Sequence, residues 1–143
     1  MIIPDVNLLL FAYSPLSPHH AGARNWWEQT IIGPRPVGLA WVTILGFVRL
    51  ATHRVSSVNP ASPAEATARV RSWLEKPRIE IITPGDGHAE ILFSLLEDLG
   101  TAGNLTTDAH LAALAMEYKA EIASTDTDFA RFKGLRWFNP LKT

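Results

Sequence analysis

The chain has 143 residues, 47% of them apolar and 19% charged, with a net charge of −1 at neutral pH. That length is near the commonest size of one domain and the apolar share suffices for one sizeable core, so a single domain over residues 1–143 is expected. The absence of cysteine excludes disulfides, zinc–thiolate sites and thiol catalysis, and a charge near zero gives no global pull on nucleic acid, so such a substrate would need local cations or a metal.

Residues 1–4 form a short apolar run that changes, at Asp5-Val6-Asn7, into Leu8-Leu9-Leu10-Phe11-Ala12. This reads as a strand ending at a carboxylate and passing into a helix. The segment lacks the basic start of a signal peptide, and no run approaches the ~20 apolar residues of a membrane span, so a soluble, cytoplasmic protein is expected. Ser14 to Pro18 stops the first helix, and Ser17 is placed to cap a second over roughly 18–31, which ends before Gly33-Pro34-Arg35-Pro36. Residues 37–40 are a strand candidate. From Trp41 to Thr52 the apolar positions 41, 44, 45, 48 and 51 have helical spacing with one buried face.

Residues 56–63 lack periodicity and predict a loop. Ser62-Pro63-Ala64-Glu65 then carries a cap, a first-turn proline and an early acid, opening a helix to about Glu75. Residues 79–83 predict a strand, 84–87 a turn, and 88–99 an amphipathic helix closed by Gly100. A helix from about 106 to 119, a strand over 122–125, a short helix and a strand over 136–138 complete the chain. Strands alternating with helices predict an α/β fold with a mainly parallel sheet, whose ligands bind outside the carboxyl ends of the strands.

Two acids stand where predicted strands end, Asp5 and Asp126, and both therefore belong to that edge. Asp108 opens a helix whose stripe of Leu111, Ala112, Ala115 and Tyr118 faces the core, and its spacing of three and four residues from Leu111 and Ala112 puts it on the same side. Burying a lone carboxylate costs several kcal/mol, and clustering three adds mutual repulsion. A divalent cation removes both penalties. Oxygen donors without His or Cys select a hard ion, Mg²⁺ or Mn²⁺ over Zn²⁺, and such an ion suits phosphate chemistry. Taken singly, Asp5 and Asp108 also suit helix caps and Asp126 a turn.

Three segments carry a family resemblance: Asp5-Val6-Asn7-Leu8-Leu9, the run from Asn104 through Asp108 and His110 to Ala115, and Ser124-Thr125-Asp126-Thr127-Asp128 to Phe132. They resemble the PIN-domain nucleases, most closely the VapC toxins of VapBC toxin–antitoxin pairs. His20 to Arg24 with Trp26, and Trp41 to Leu50, are similar to the same group. The resemblance implies a three-layer sandwich with a central twisted sheet of about five strands flanked by helices. It implies an endoribonuclease acting on structured RNA such as tRNA or rRNA, with Mg²⁺ or Mn²⁺ held by Asp5, Asp108 and Asp126, and Asp128 sharing or replacing the last role. Water activated by the metal would attack the phosphodiester and leave a 5′-phosphate and a 3′-hydroxyl. Asn7 would orient Asp5 or contact substrate, a VapB-like antitoxin would neutralise the activity, and a homodimer would present two sites to one RNA.

One departure stands out. Many members carry Glu three residues after the Thr of the third helix, and here that position is Gly46. Glycine supplies no ligand, so a PIN-like domain that binds RNA or a protein without efficient cleavage is the alternative, and a nuclease or phosphatase acting on DNA or small esters a third reading. Arg49 and His53 lie four apart, and Arg49 suits contact with RNA phosphate or an antitoxin carboxylate. His110 faces away from Asp108 and reads as a surface or packing residue. Of the adjacent Trp26 and Trp27, one is expected in the core and one exposed. His19-His20 lacks partners at metal spacing, and Gly85-Asp86-Gly87 falls short of a phosphate loop.

Overall fold

The structure, a computed structural model, describes residues 1–55 and 59–142. Its elements in chain order are β1 (Ile2–Pro4), α1 (Val6–Ala12), α2 (His20–Ile32), β2 (Val37–Ala40), α3 (Trp41–Thr52), α4 (Pro63–Leu74), β3 (Ile79–Ile82), α5 (His88–Leu99), α6 (Thr106–Glu117), β4 (Glu121–Ala123) and β5 (Trp137–Phe138), with 3₁₀ turns at Gly103–Leu105 and Thr127–Arg131. Residues 56–58 of the loop expected over 56–63 lie outside the described residues. Among the described residues, no helix is long and apolar enough to cross a membrane.

The sheet is parallel throughout, in the order β3-β2-β1-β4-β5. The chain therefore begins in the middle of the sheet, builds outward through β2 and β3, then returns to the other side of β1 through β4 and β5. That reversal makes the carboxyl ends of β1 and β4 the switch point, where connections leave in opposite directions and a crevice opens. Alternating side chains divide the sheet between two cores. Ile3, Ala40, Ile82 and Ile122 pack with Leu95 of α5 and Leu111 and Leu114 of α6. On the other face Val37, Leu39 and Ile79 pack with Leu9, Trp27, Phe47 and Trp73 from α1 to α4. The result is the α/β three-layer arrangement with helices on both faces of a five-stranded sheet.

Several expectations shift by a turn. Ser17 accepts from the His19 amide at 3.1 Å, but α2 begins at His20 with His19 at its cap, because the serine closes the turn before the helix. At Ser62 the expected start is present as a full capping box with Glu65. Gly100 takes the left-handed conformation that ends α5. The buried stripe of α3 is Thr43, Ile44, Phe47 and Ala51, while Trp41 and Leu45 are 52% and 64% exposed, which corrects the reading that put both on the buried face. Trp27 is buried and Trp26 half-buried beside it. Tyr118 lies past the end of α6 and outside the core, its hydroxyl bonded to the backbone of Thr83 instead.

The α1–α4 core is stitched by aromatics. Trp73 donates its indole N–H to the Tyr13 hydroxyl at 2.8 Å and stacks edge-on against Phe47 and Trp27, with centroids at 4.8 and 5.5 Å. Phe47→Ala empties a site with no solvent exposure and is expected to cost about 3–5 kcal/mol, against about 1 kcal/mol for Ser62→Ala at the α4 cap. Urea unfolding of the two variants checks the order, and a cheaper Phe47→Ala would contradict this packing.

Candidate metal centre

Asp5 is the single residue between β1 and α1. Its amide donates to the Ala123 carbonyl at 2.9 Å, continuing the β1–β4 ladder one step past the strand. Its side chain turns back as the N-cap of α1, where Oδ1 accepts from the Val6 amide at 2.8 Å. The other oxygen, Oδ2, accepts from the Ser124 hydroxyl at 2.7 Å. Ser124 is fully buried, and its Oγ also accepts from the Asp126 amide at 2.9 Å. One hydroxyl thus ties the carboxylate after β1 to the backbone after β4. Asp126 in turn caps the 3₁₀ turn Thr127–Arg131, accepting from the Asp128 amide at 2.8 Å.

Asp5 is 7% exposed. Burial raises its pKa above the ordinary carboxylate value; the bonds from Ser124 and Val6 pull the other way, and the charge of Asp126 adds to the rise. Asp108, in the first turn of α6, is half-buried, so the most enclosed of the expected ligands is Asp5 and not the residue on the α6 stripe. Burial is the first cause that pushes Asp108 up to about 7, followed by the charges of Asp5, Asp126 and Asp128. The four aspartates expected at one edge therefore act on one another, and the charges raising the Asp108 pKa all come from carboxylates.

This donor set, oxygen only and short of positive charge, suits a hard divalent cation. The fit is one of chemistry and charge, not of finished geometry. Among the described residues no group of three or more His, Asp or Glu side chains is already arranged to hold a metal. The carboxylates would have to draw together around an ion. Gly46, the position where the resemblance leads one to expect Glu, lies against Val6, and a Cβ there would meet Val6 Cγ2 at 3.5 Å, an ordinary contact.

The remaining expected residues are placed less tightly. Asn7 is half-buried in the first turn of α1, and the hydrogen bonds on Asp5 come from Val6 and Ser124. Arg49 is exposed in the last turn of α3. His53 falls just beyond that helix as its C-cap. Sequence reasoning missed the role of Ser124, whose only signal is a small hydroxyl two residues before Asp126. It also missed a chain of side chains in which His88 Nδ1 meets Glu117 Oε1 and His88 Nε2 meets His110 Nδ1, both at 2.9 Å. His110 is a packing residue there, its pKa lowered by burial and then by His88.

A family model described as "PIN domain" matches residues 2–135. The chain is 47% identical over 142 residues to "Ribonuclease VapC33" of Mycobacterium tuberculosis, covering 99% of each. In three dimensions it is similar to a chain in the structure of VapBC2 from Rickettsia felis bound to a DNA fragment from its promoter, with a TM-score of 0.68, 18% identity and coverage of 97% of this chain and 98% of that one. It is also similar to Mycobacterium tuberculosis VapC20, described as a sarcin–ricin loop cleaving toxin, with a TM-score of 0.69, 16% identity and coverage of 95% and 99%. The chain belongs to the PIN-domain family and, within it, to the VapC ribonucleases.

The raised pKa of Asp108 sets a sign for stability. The folded chain holds this proton more tightly than the unfolded chain, whose aspartates titrate near 3.8. The group's contribution is complete below pH 3.8 and is lost as pH rises through about 7. In chelator, Asp108→Asn should therefore melt higher than the unaltered chain at pH 8, by about 3 °C after allowance for solvent screening, with the gap closing toward pH 4. A gap that is constant with pH would contradict the coupling.

Proposed function

We propose that this chain is a toxin endoribonuclease that hydrolyses structured RNA with the help of Mg²⁺ or Mn²⁺ and is neutralised by a cognate antitoxin, residues 1–143 acting as one PIN domain in the cytoplasm. The observation that carries the reading is the mutual coupling of Asp5, Asp108, Asp126 and Asp128 at the β1/β4 switch point. Charges crowded in this way favour a divalent cation and, through it, a phosphate group. The name and high identity of the Mycobacterium tuberculosis ribonuclease support RNA as the substrate.

Asp5, Asp108 and Asp126 would hold the ion, with Asp128 at the rim able to share the last position. A bound divalent cation supplies Lewis acidity toward the phosphodiester and the attacking water. Ser124 holds Asp5 Oδ2 and the Asp126 backbone in register. Its bond to Asp5 favours the ionised form and so keeps a donor ready despite burial. Asn7 and Arg49 are the proposed contacts to substrate or partner.

An antitoxin partner is supported by the Rickettsia felis complex and by a groove of about 560 Å³ between α1, its following loop and α3, lined by Leu10, Phe11, Leu16, Phe47 and Leu50 and ending at Arg69. An apolar segment carrying one acid would match it. Trp41 and Leu45, exposed one helical turn apart on α3, support a homodimer.

Incubated with folded RNA, the chain should cleave in Mg²⁺ or Mn²⁺ and stop in chelator, and Asp5→Asn should lower the rate at least ~100-fold, the range seen when a preorganised electrostatic group is removed. Gly46 favours the second reading, a domain that binds RNA without efficient cleavage. Binding without cutting in any metal would support it, and Gly46→Glu would then be expected to raise cleavage, since a Cβ at the position meets only ordinary contacts.

A further inference from the structure

The edge of the sheet opposite the aspartates has the reverse charge. In spatial order from β3 to β5, the amino ends of the strands carry Arg78 before β3, Arg35 before β2, Lys119 before β4 and Arg136 before β5, with Lys76 and Lys133 alongside. Backbone bonds lash these ends together: Val37 to the Arg78 carbonyl and Ile2 to the Pro36 carbonyl at 2.9 Å, and Glu121 to the Met1 carbonyl and Ile122 to the Arg136 carbonyl at 3.0 Å. All the cations but the half-buried Lys76 are exposed. At ~4.8 Å between neighbouring strands, the row runs about 19 Å.

Six cations stand against four acids here, Glu75, Glu80, Glu117 and Glu121, in a chain whose net charge is −1. Glu121 pairs with Arg35 at 2.9 Å. Arg136 donates to the Lys119 carbonyl at 2.8 Å, which holds two members of the row together without neutralising either charge.

We propose that this basic edge binds the phosphate backbone of RNA, as a second contact remote from the cutting site. The inference rests on the ribonuclease reading. A phosphate chain approaching four aspartates is repelled beyond the reach of a bound ion, so electrostatic hold must come from elsewhere on the surface. The strands that separate the two edges have at most four residues, or about 13 Å at ~3.3 Å each. A folded RNA wider than that reaches both, whereas a short oligonucleotide reaches only one. The dependence on RNA size follows directly.

Part of this charge also lies where α2, α4 and α6 end, where cations complement helix dipoles. The experiment separates the two roles. A full-length Arg78→Gln/Lys119→Gln/Arg136→Gln variant is compared with the unaltered chain for binding to a folded RNA hairpin transcript in chelator, across a KCl series. The salt slope should fall by about 2 and the affinity at low salt by about tenfold or more, while Arg78→Lys/Arg136→Lys retains both. With Mn²⁺ added, cleavage of a trinucleotide, about 10 Å long at ~3.4 Å per nucleotide and so shorter than the strands that separate the edges, should be unchanged.

An unchanged slope with a lower melting temperature would overturn the proposal in favour of helix-end stabilisation. Loss of binding to phosphatidylglycerol vesicles with RNA binding intact would overturn it in favour of a membrane surface. If the unaltered chain cuts no RNA yet the slope still falls in the triple variant, the basic edge stands and the ribonuclease reading fails.

Discussion

The carboxylate of Asp5 sits where its charge is penalised by burial and opposed by Asp126, yet the residue is held there by three bonds that fix its direction. Everything at the site depends on that arrangement. A single residue links β1 to α1, so the side chain at this position must cap the helix and face the carboxyl edge of the sheet. The Ser124 hydroxyl then joins it to the segment after β4, which the topology places next door. Asp126 is also fixed, by the Ser124 hydroxyl at its amide and by its own cap on the Asp128 amide, whereas among the described residues no comparable side-chain bond holds the Asp108 carboxylate.

The two edges of the sheet divide the electrostatic labour. At the carboxyl edge, burial and then the charges of neighbouring aspartates raise Asp108 to about 7; at the amino edge, arginines and lysines precede the strands. Opposite charges thus stand at opposite edges of a chain whose net charge is −1, a separation that would favour contact with a polyanion.

Much of this is legible in the amino-acid sequence. Asp5 and Asp126 stand out because the apolar pattern changes period at both, and Asp108 because it lies three and four residues before apolar positions of its helix. The spacing in α3 misleads at Trp41 and Leu45 because two overlapping apolar stripes run along that helix, and spacing cannot tell which one meets the sheet. At Tyr118 the periodicity continues one residue past the end of the helix. The bond of Ser124 to Asp5 and the Glu117–His88–His110 chain cannot be read locally, since the paired residues lie 119, 29 and 22 positions apart. Strand order is of the same kind: each strand has a local pattern, but the switch point between β1 and β4 exists only in the assembled sheet.

The central claim is that mutual repulsion among the aspartates makes a divalent-cation site. Calorimetric titration of the chain with Mn²⁺ at pH 7, in two buffers of different ionisation enthalpy, tests it most directly. With Asp108 titrating near 7, roughly half a proton should leave for each ion bound, and Asp108→Asn should abolish the release. Binding with no proton release, or no binding at all, would contradict the account.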